Sequence, residues 1–167
     1  MAKYSDRIRK MAEFVPVGGT LADIGSDHAY LPIMLYREER CDSYILTDVR
    51  PGPLERARES VTGACGGLPD CFELRLGDGL FPLKPGEVDT CVIAGMGGES
   101  IAAILGREPG IAMSIGRFIL QPRTKGEFLM SYLTGQGLYR IIERAYPVER
   151  GRRCEVIICE PVVLYSN

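Results

Sequence analysis

The segment LADIGSDHAYLP, Leu21 to Pro32, breaks an apolar run with Gly25-Ser26-Asp27 and spends the chain's single histidine, His28, on the same spot. An apolar run that ends in small polar residues before a second apolar run marks a tight turn or the mouth of a site. Similar breaks recur at Asp48, at Asp78-Gly79, at Gly95-Met96-Gly97-Gly98 and at Gln121-Pro122. Ligands of open α/β sheets bind just beyond the carboxyl ends of the strands, so these are the informative positions. Gly25 permits close backbone approach, and the helix that follows can present free N–H groups. Asp48 suits both hydroxyls of a ribose, and Asp78 suits an amino group of adenine while the Gly79 N–H donates to a ring nitrogen. Each has a plainer reading: a strand-to-helix turn for Gly25, a solvated acid or helix cap for Asp48, a β-turn for GDG. Their order along the chain nevertheless matches one nucleoside lying across successive strand ends. Asp27 and His28 stand where GxGxxG needs glycines, and Asp27 would repel a pyrophosphate. A ligand such as S-adenosylmethionine, with an ammonium group and a sulfonium, tolerates acids there.

The elements needed to position these residues are readable from the pattern. Ser5 is expected to cap a helix through about Val15, since Ile8, Met11, Ala12 and Val15 recur at helical spacing. A strand at Leu21–Ile24, a helix from Ala29 to about Glu39 with Pro32 in its first turn, and a strand at Tyr44–Thr47 follow. Pro53 is expected to open a short helix, PLERARESV, and Gly63, Gly66 and Gly67 a loop before a strand near Phe72–Leu76. Strands at Thr90–Ala94 and Phe118–Leu120 flank a helix at Ser100–Leu105, and Thr124 is expected to cap a helix through Leu133. This alternation implies a parallel sheet covered on both faces. Leu138–Pro147 and Glu155–Val163 are joined by VERGRR, too short for a helical crossover, and should form an antiparallel hairpin.

With 167 residues, 46% of them hydrophobic, the chain suffices for one domain with a substantial core. A formal charge of −2 provides no global basic field, so a nucleic acid would have to be met by a local patch. The six cysteines form no CxxC pair and lie in or beside apolar segments, as reduced core cysteines do, and no metal is expected. The N-terminus has no apolar signal segment and no run approaches a membrane span, so the expectation is a cytoplasmic protein.

ADIGSDHAYLP (Ala22–Pro32), TDVRPGPLERA (Thr47–Ala57), GDGL, IAGMGGESIAAIL (Ile93–Leu105) and ILQP (Ile119–Pro122) resemble the bacterial tRNA (adenine-22-N1)-methyltransferase family, from about Ser5 to Pro161. The resemblance implies a Rossmann-like class I methyltransferase fold: a mostly parallel seven-stranded sheet with an antiparallel C-terminal hairpin and helices on both faces. It further implies S-adenosylmethionine as donor, S-adenosylhomocysteine as product, and N1 of a tRNA adenine as acceptor. Carried over, Asp23, Gly25, Ser26, Asp27 and His28 would hold the methionine end of the donor, Asp48 the ribose, and Asp78 and Gly79 the adenine. Ala94, Gly95, Met96, Gly97 and Gly98 would line the path to the acceptor base. The catalytic group would be Asp27, to stabilise positive charge developing on the methylated ring, Tyr30, to stack on the base, and Met96, whose flanking glycines allow close backbone approach. His28 would contact the cofactor or pack the helix start.

Two features depart from that family. Its members typically continue into a helical C-terminal region implicated in tRNA binding, so residues 1–167 are read as a single methyltransferase domain without it, a monomer by preference. Arg123 stands after LQP where Asn is expected. Phosphate contacts would fall to Arg7, Arg9 and Lys10, to Arg123 with Lys125, and to Arg150, Arg152 and Arg153. A donor-binding domain without transfer activity is the main alternative. An NAD-dependent oxidoreductase is opposed by Asp27-His28 and by the tail hairpin.

Overall fold

The protein is described by a computed structural model covering residues 4–163. Ser5 caps α1 (Asp6–Glu13) by accepting the Ile8 N–H at 3.3 Å. The helix stops short of Val15 because Pro16 drives the residue before it out of helical conformation. Strand β1 (Thr20–Ile24) leads to α2 (Tyr30–Arg37), whose cap Ala29 is left-handed and whose first turn holds Pro32. After β2 (Ser43–Asp48), α3 (Pro51–Cys65) begins at Pro51 and not Pro53, since Pro51 takes the N-terminal position that needs no N–H. Gly63 lies inside this helix, and left-handed Gly66 ends it.

Strand β3 (Phe72–Leu76) precedes β4 (Thr90–Gly97), α4 (Gly98–Arg107), a short α5 (Pro109–Ala112) without sequence expectation, β5 (Arg117–Thr124) and α6 (Gly126–Gly135). Thr124 is the last residue of β5, not a cap: the α6 cap is Lys125, which offers no side-chain hydrogen bond. Strands β6 (Tyr139–Ala145) and β9 (Val156–Pro161) enclose a ribbon, β7 (Val148–Glu149) and β8 (Arg152–Arg153), in place of the expected plain VERGRR loop. Its two-residue turn, Arg150-Gly151, has positive φ at both positions, the twist that suits so tight a hairpin.

The seven-stranded sheet runs β3-β2-β1-β4-β5-β9-β6, parallel through β5, with β9 antiparallel between β5 and β6. Strand side chains alternate between the two faces. Ala22, Ile45, Cys91, Ile93, Phe118, Leu120 and Ile157 pack against α4, α5 and α6. Leu21, Tyr44, Leu46, Val92, Ile119 and Ile158 pack against α1, α2 and α3. Cys91 and Cys159 belong to this core, whereas the other four cysteines are only partly buried.

Strand β4 runs three residues beyond its expected end at Ala94. Gly95, at φ +74°, forms a bulge against Gln121-Pro122, so pairing resumes at Met96 and Gly97. Gly98 then starts α4 directly against the Lys125 carbonyl, with no room for a side chain. Gly98→Ala is therefore expected to lower stability by about 1–3 kcal/mol, the usual range for overpacking. Gly110→Ala, in open space, should be neutral by comparison. Thermal unfolding followed by circular dichroism checks this, and equal melting temperatures for the two variants would refute it.

Candidate active site

The strand order reverses between β1 and β4, and a cleft of about 530 Å³ opens there, within the range of roughly 300–1,000 Å³ usual for small-molecule sites. It is lined by four strand ends of the expected site: Gly25 and Asp27 after β1, Asp48 at the end of β2, Asp78 and Gly79 after β3, and Ala94, Gly95 and Met96 on β4. Asp23, Ser26, His28, Tyr30 and Gly97 do not line it. The His28 and Tyr30 rings, both exposed, stack on each other 5.2 Å apart at 17°. Gly97 precedes α4.

Gly25 is needed for two reasons: its φ is +75°, and a Cβ would fall 2.6 Å from the Met96 methyl. The Met96 side chain thus closes over the β1 tip. Asp48 is only 8% exposed, and its Oδ1 accepts the Arg50 N–H at 3.0 Å, which fixes the carboxylate along the loop into α3. Ser26 Oγ and Thr47 Oγ1, at neighbouring strand tips, are buried; Ser26 Oγ faces the Asp23 carboxyl, and Thr47 Oγ1, which lines the cleft, lacks a hydrogen-bond partner among the described residues. A buried hydroxyl left unpaired in a cleft wall is suited to a polar ligand.

The acids at the two ends of the cleft are paired. Arg56 of α3 donates from Nε to Asp27 at 2.6 Å, and this hydrogen bond holds the Asp27 carboxyl below its ordinary range. Arg107 of α4 donates to both oxygens of Asp78, at 2.9 and 3.2 Å. Neither arginine was apparent from the sequence. Ser100, Ala103, Ile104 and Arg107 all line the cleft, however, and their i, i+3, i+4, i+7 spacing on α4 was the available signal.

Gln121, 4% exposed, links the acceptor-side elements. Its Oε1 accepts both the Gly95 N–H and Arg7 Nη1, each at 3.1 Å, and its Nε2 donates to the Pro122 carbonyl at 3.2 Å. The N–H displaced by the β4 bulge is thereby satisfied by a side chain. Arg7 also donates from Nε to Glu149 of β7 at 3.0 Å, so it faces inward and is not a free surface cation. Arg123, Lys125, Arg150, Arg152 and Arg153 are exposed, with Arg153 lying 4.1 Å over the Tyr146 ring.

Desolvation pushes the partly buried Asp23 carboxyl up to about 6, while the Ser26 hydroxyl and the Arg7 charge pull it the other way. The unfolded chain releases this proton near 3.8, so between that value and about 6 the folded state binds more protons and stability falls as pH rises. Asp23→Asn should remove this part of the pH dependence, gaining about 1–3 kcal/mol over the parent at pH 7 and little at pH 4. Urea unfolding at both pH values checks it; a constant difference between parent and variant would show that Asp23 titrates normally.

A family model described as a methyltransferase domain matches residues 4–157. The tRNA (adenine(22)-N(1))-methyltransferase of Bacillus subtilis (strain 168) is 36% identical over 158 residues, 95% of this chain; the chain spans 65% of that relative's length. The crystal structure of the B. subtilis M1A22 tRNA methyltransferase TrmK superposes with a TM-score of 0.87 at 34% identity, covering 97% of this chain and 68% of that one. The Streptococcus pneumoniae protein Sp1610, in complex with S-adenosyl-L-methionine, superposes with a TM-score of 0.89 at 34% identity, covering 99% and 76%. Motifs, sheet order and these likenesses agree: the chain belongs to the bacterial tRNA (adenine-22-N1)-methyltransferase family, within the class I methyltransferase fold.

Proposed function

We propose that the chain is a single methyltransferase domain that binds S-adenosylmethionine and methylates N1 of adenine 22 in tRNA, as a cytoplasmic monomer. The observation that carries the donor half is the line of Asp78-Gly79, Asp48 and Gly25 across three adjacent strand tips, with the unpaired Thr47 hydroxyl in the same wall. The relatives, one of them bound to S-adenosyl-L-methionine, support the rest. Among the described residues no helix is long and apolar enough to cross a membrane, and no group of three or more His, Cys, Asp or Glu could hold a metal ion.

S-adenosylmethionine, when bound, supplies a methyl group on a positively charged sulfur. Asp48 would accept from the ribose hydroxyls, and Asp78 retains lone pairs for an amino group even while Arg107 occupies two. Gly25 and Asp27 would face the methionine end, where a carboxylate favours an ammonium group, with Asp23 and Ser26 adjoining them along the chain. Adenine N1 carries a lone pair and no proton, so the chain need supply no general base. Its task is placement, which alone can supply much of the rate. Asp27, kept ionised by Arg56, would stabilise positive charge appearing on the ring, and Met96 would shape the opening through which the base approaches.

Incubation with S-adenosylmethionine and unmodified tRNA is expected to yield 1-methyladenosine by mass spectrometry with adenine at position 22 and none with guanine there. No product while S-adenosylhomocysteine still binds in calorimetry would reduce the chain to a donor-binding domain. Asp48→Ala is expected to weaken S-adenosylhomocysteine about 10- to 100-fold, the loss of hydrogen bonds to a charged acceptor. Unchanged affinity would remove Asp48 from the ribose site.

A further inference from the structure

The methionine end of the donor carries opposite charges on a single carbon, an ammonium and a carboxylate. A site that draws one of them by a fixed charge repels the other unless an opposite charge lies close by. Asp27 suits the ammonium and would push the carboxylate away. Three carboxylates line the cleft, those of Asp27, Asp48 and Asp78, against two guanidinium groups, those of Arg50 and Arg107. Arg107 is committed at the adenine end, where it donates to both oxygens of Asp78. Arg50 is exposed, and its side chain forms no hydrogen bond or ion pair among the described residues.

The place of Arg50 in the fold puts this uncommitted charge near Asp27. It is the N-terminal cap of α3, just beyond Asp48, and only its backbone N–H is spent on the Asp48 carboxylate. The β2 tip that leads to it is the hydrogen-bonded neighbour of the β1 tip that leads to Gly25 and Asp27. Arg56, further along α3, pairs with Asp27 at 2.6 Å but does not line the cleft. That hydrogen bond is the main cause of the lowered Asp27 carboxyl, and the Arg50 charge acts in the same direction, so Arg50 and Asp27 lie within each other's field. The cleft wall thus offers an anion and a free cation together, the reverse of the charges an α-amino acid presents.

Resting on the donor reading above, we infer that Arg50 receives the carboxylate of the donor's methionine group while Asp27 receives its ammonium. The guanidinium fork offers a carboxylate parallel N–H donors, a match that a lysine does not reproduce. Arg50 therefore makes this end of the cleft selective for a whole amino acid over an amine alone. Because the contact to Asp48 comes from the Arg50 backbone, a substitution at Arg50 keeps the N–H that fixes the Asp48 carboxylate. Loss of the side chain removes the carboxylate contact and spares the ribose one.

Calorimetry with ligands that share one nucleoside tests this: S-adenosylhomocysteine, its decarboxylated analogue 5′-S-(3-aminopropyl)-5′-thioadenosine, and 5′-methylthioadenosine, which lacks the amino acid altogether. Arg50→Ala is expected to weaken S-adenosylhomocysteine about tenfold, the loss of a charge-assisted hydrogen bond, and to leave the other ligands unchanged. Arg50→Lys should lose less, about threefold, because it keeps the charge and forfeits the fork. Equal weakening of all the ligands by Arg50→Ala overturns the assignment, since Arg50 would then act on the nucleoside or on the loop. Unchanged affinity for S-adenosylhomocysteine overturns it as well. A parent protein that binds none of the ligands sinks the donor reading and this inference with it, whereas a parent that binds them with no dependence on Arg50 counts against this inference alone.

Discussion

The site depends on one topological constraint, the divergence of the chain after β1 and β4. These strands are hydrogen-bonded neighbours, yet β1 continues into α2 on one face of the sheet and β4 into α4 on the other. Two parallel strands whose helices leave in opposite directions cannot cover the ground between their tips, so a crevice remains. The acids and glycines that end the strands line it without any special folding of their own. Core packing on both faces holds the strand tips in register, and the residues at the crevice are thereby released from having to stabilise the fold.

That release is visible in the residues the crevice tolerates. Thr47 buries a hydroxyl without a partner among the described residues, and Asp23, beside the Ser26 hydroxyl, carries a carboxyl that its surroundings disfavour as a charge. Left-handed Gly25 and Gly95 stand at the tips of the two diverging strands, where the backbone must turn sharply and the Met96 methyl approaches closely. Such features burden a folded chain unless a ligand meets them, and they cluster at the β1, β2 and β4 ends. Around them, charge is balanced by pairs from different elements: Asp27 with Arg56 of α3, Asp78 with Arg107 of α4.

The acceptor side is built on another principle. Gln121 is buried and satisfies a backbone N–H that the β4 bulge removes from the sheet ladder, and the same oxygen receives Arg7 from α1. Arg7 in turn reaches Glu149 on the ribbon. Three segments far apart in sequence are thus tied to the loop that carries Met96. A ribbon of only two short strands would be marginal by itself, and this attachment to α1 gives it a fixed place over the sheet.

Much of this was legible in the sequence because its causes are local. Apolar runs of strand length ending in Asp or Gly, helical spacing after Ser5, and a link too short for a crossover determine the order of elements and the strand-end acids. Motif resemblance added the family. The structure starts α3 at Pro51 and not at Pro53 and ends β5 at Thr124 in place of a cap there, because a proline or threonine near a helix start suits more than one neighbouring position and packing selects among them. The extension of β4 through a bulge depends on Gln121, a residue on another strand, so no periodicity in IAGMGG announces it. By itself the sequence determined which residues stand at strand ends and what chemistry they can do. Only the tertiary structure decided which arginine neutralises which acid, that Tyr30 and His28 lie outside the lining of the first cleft, and that a second cleft exists between α1 and the ribbon. These follow from contacts between residues distant in the chain, whose geometry is set by how helices pack on a sheet and not by any local pattern.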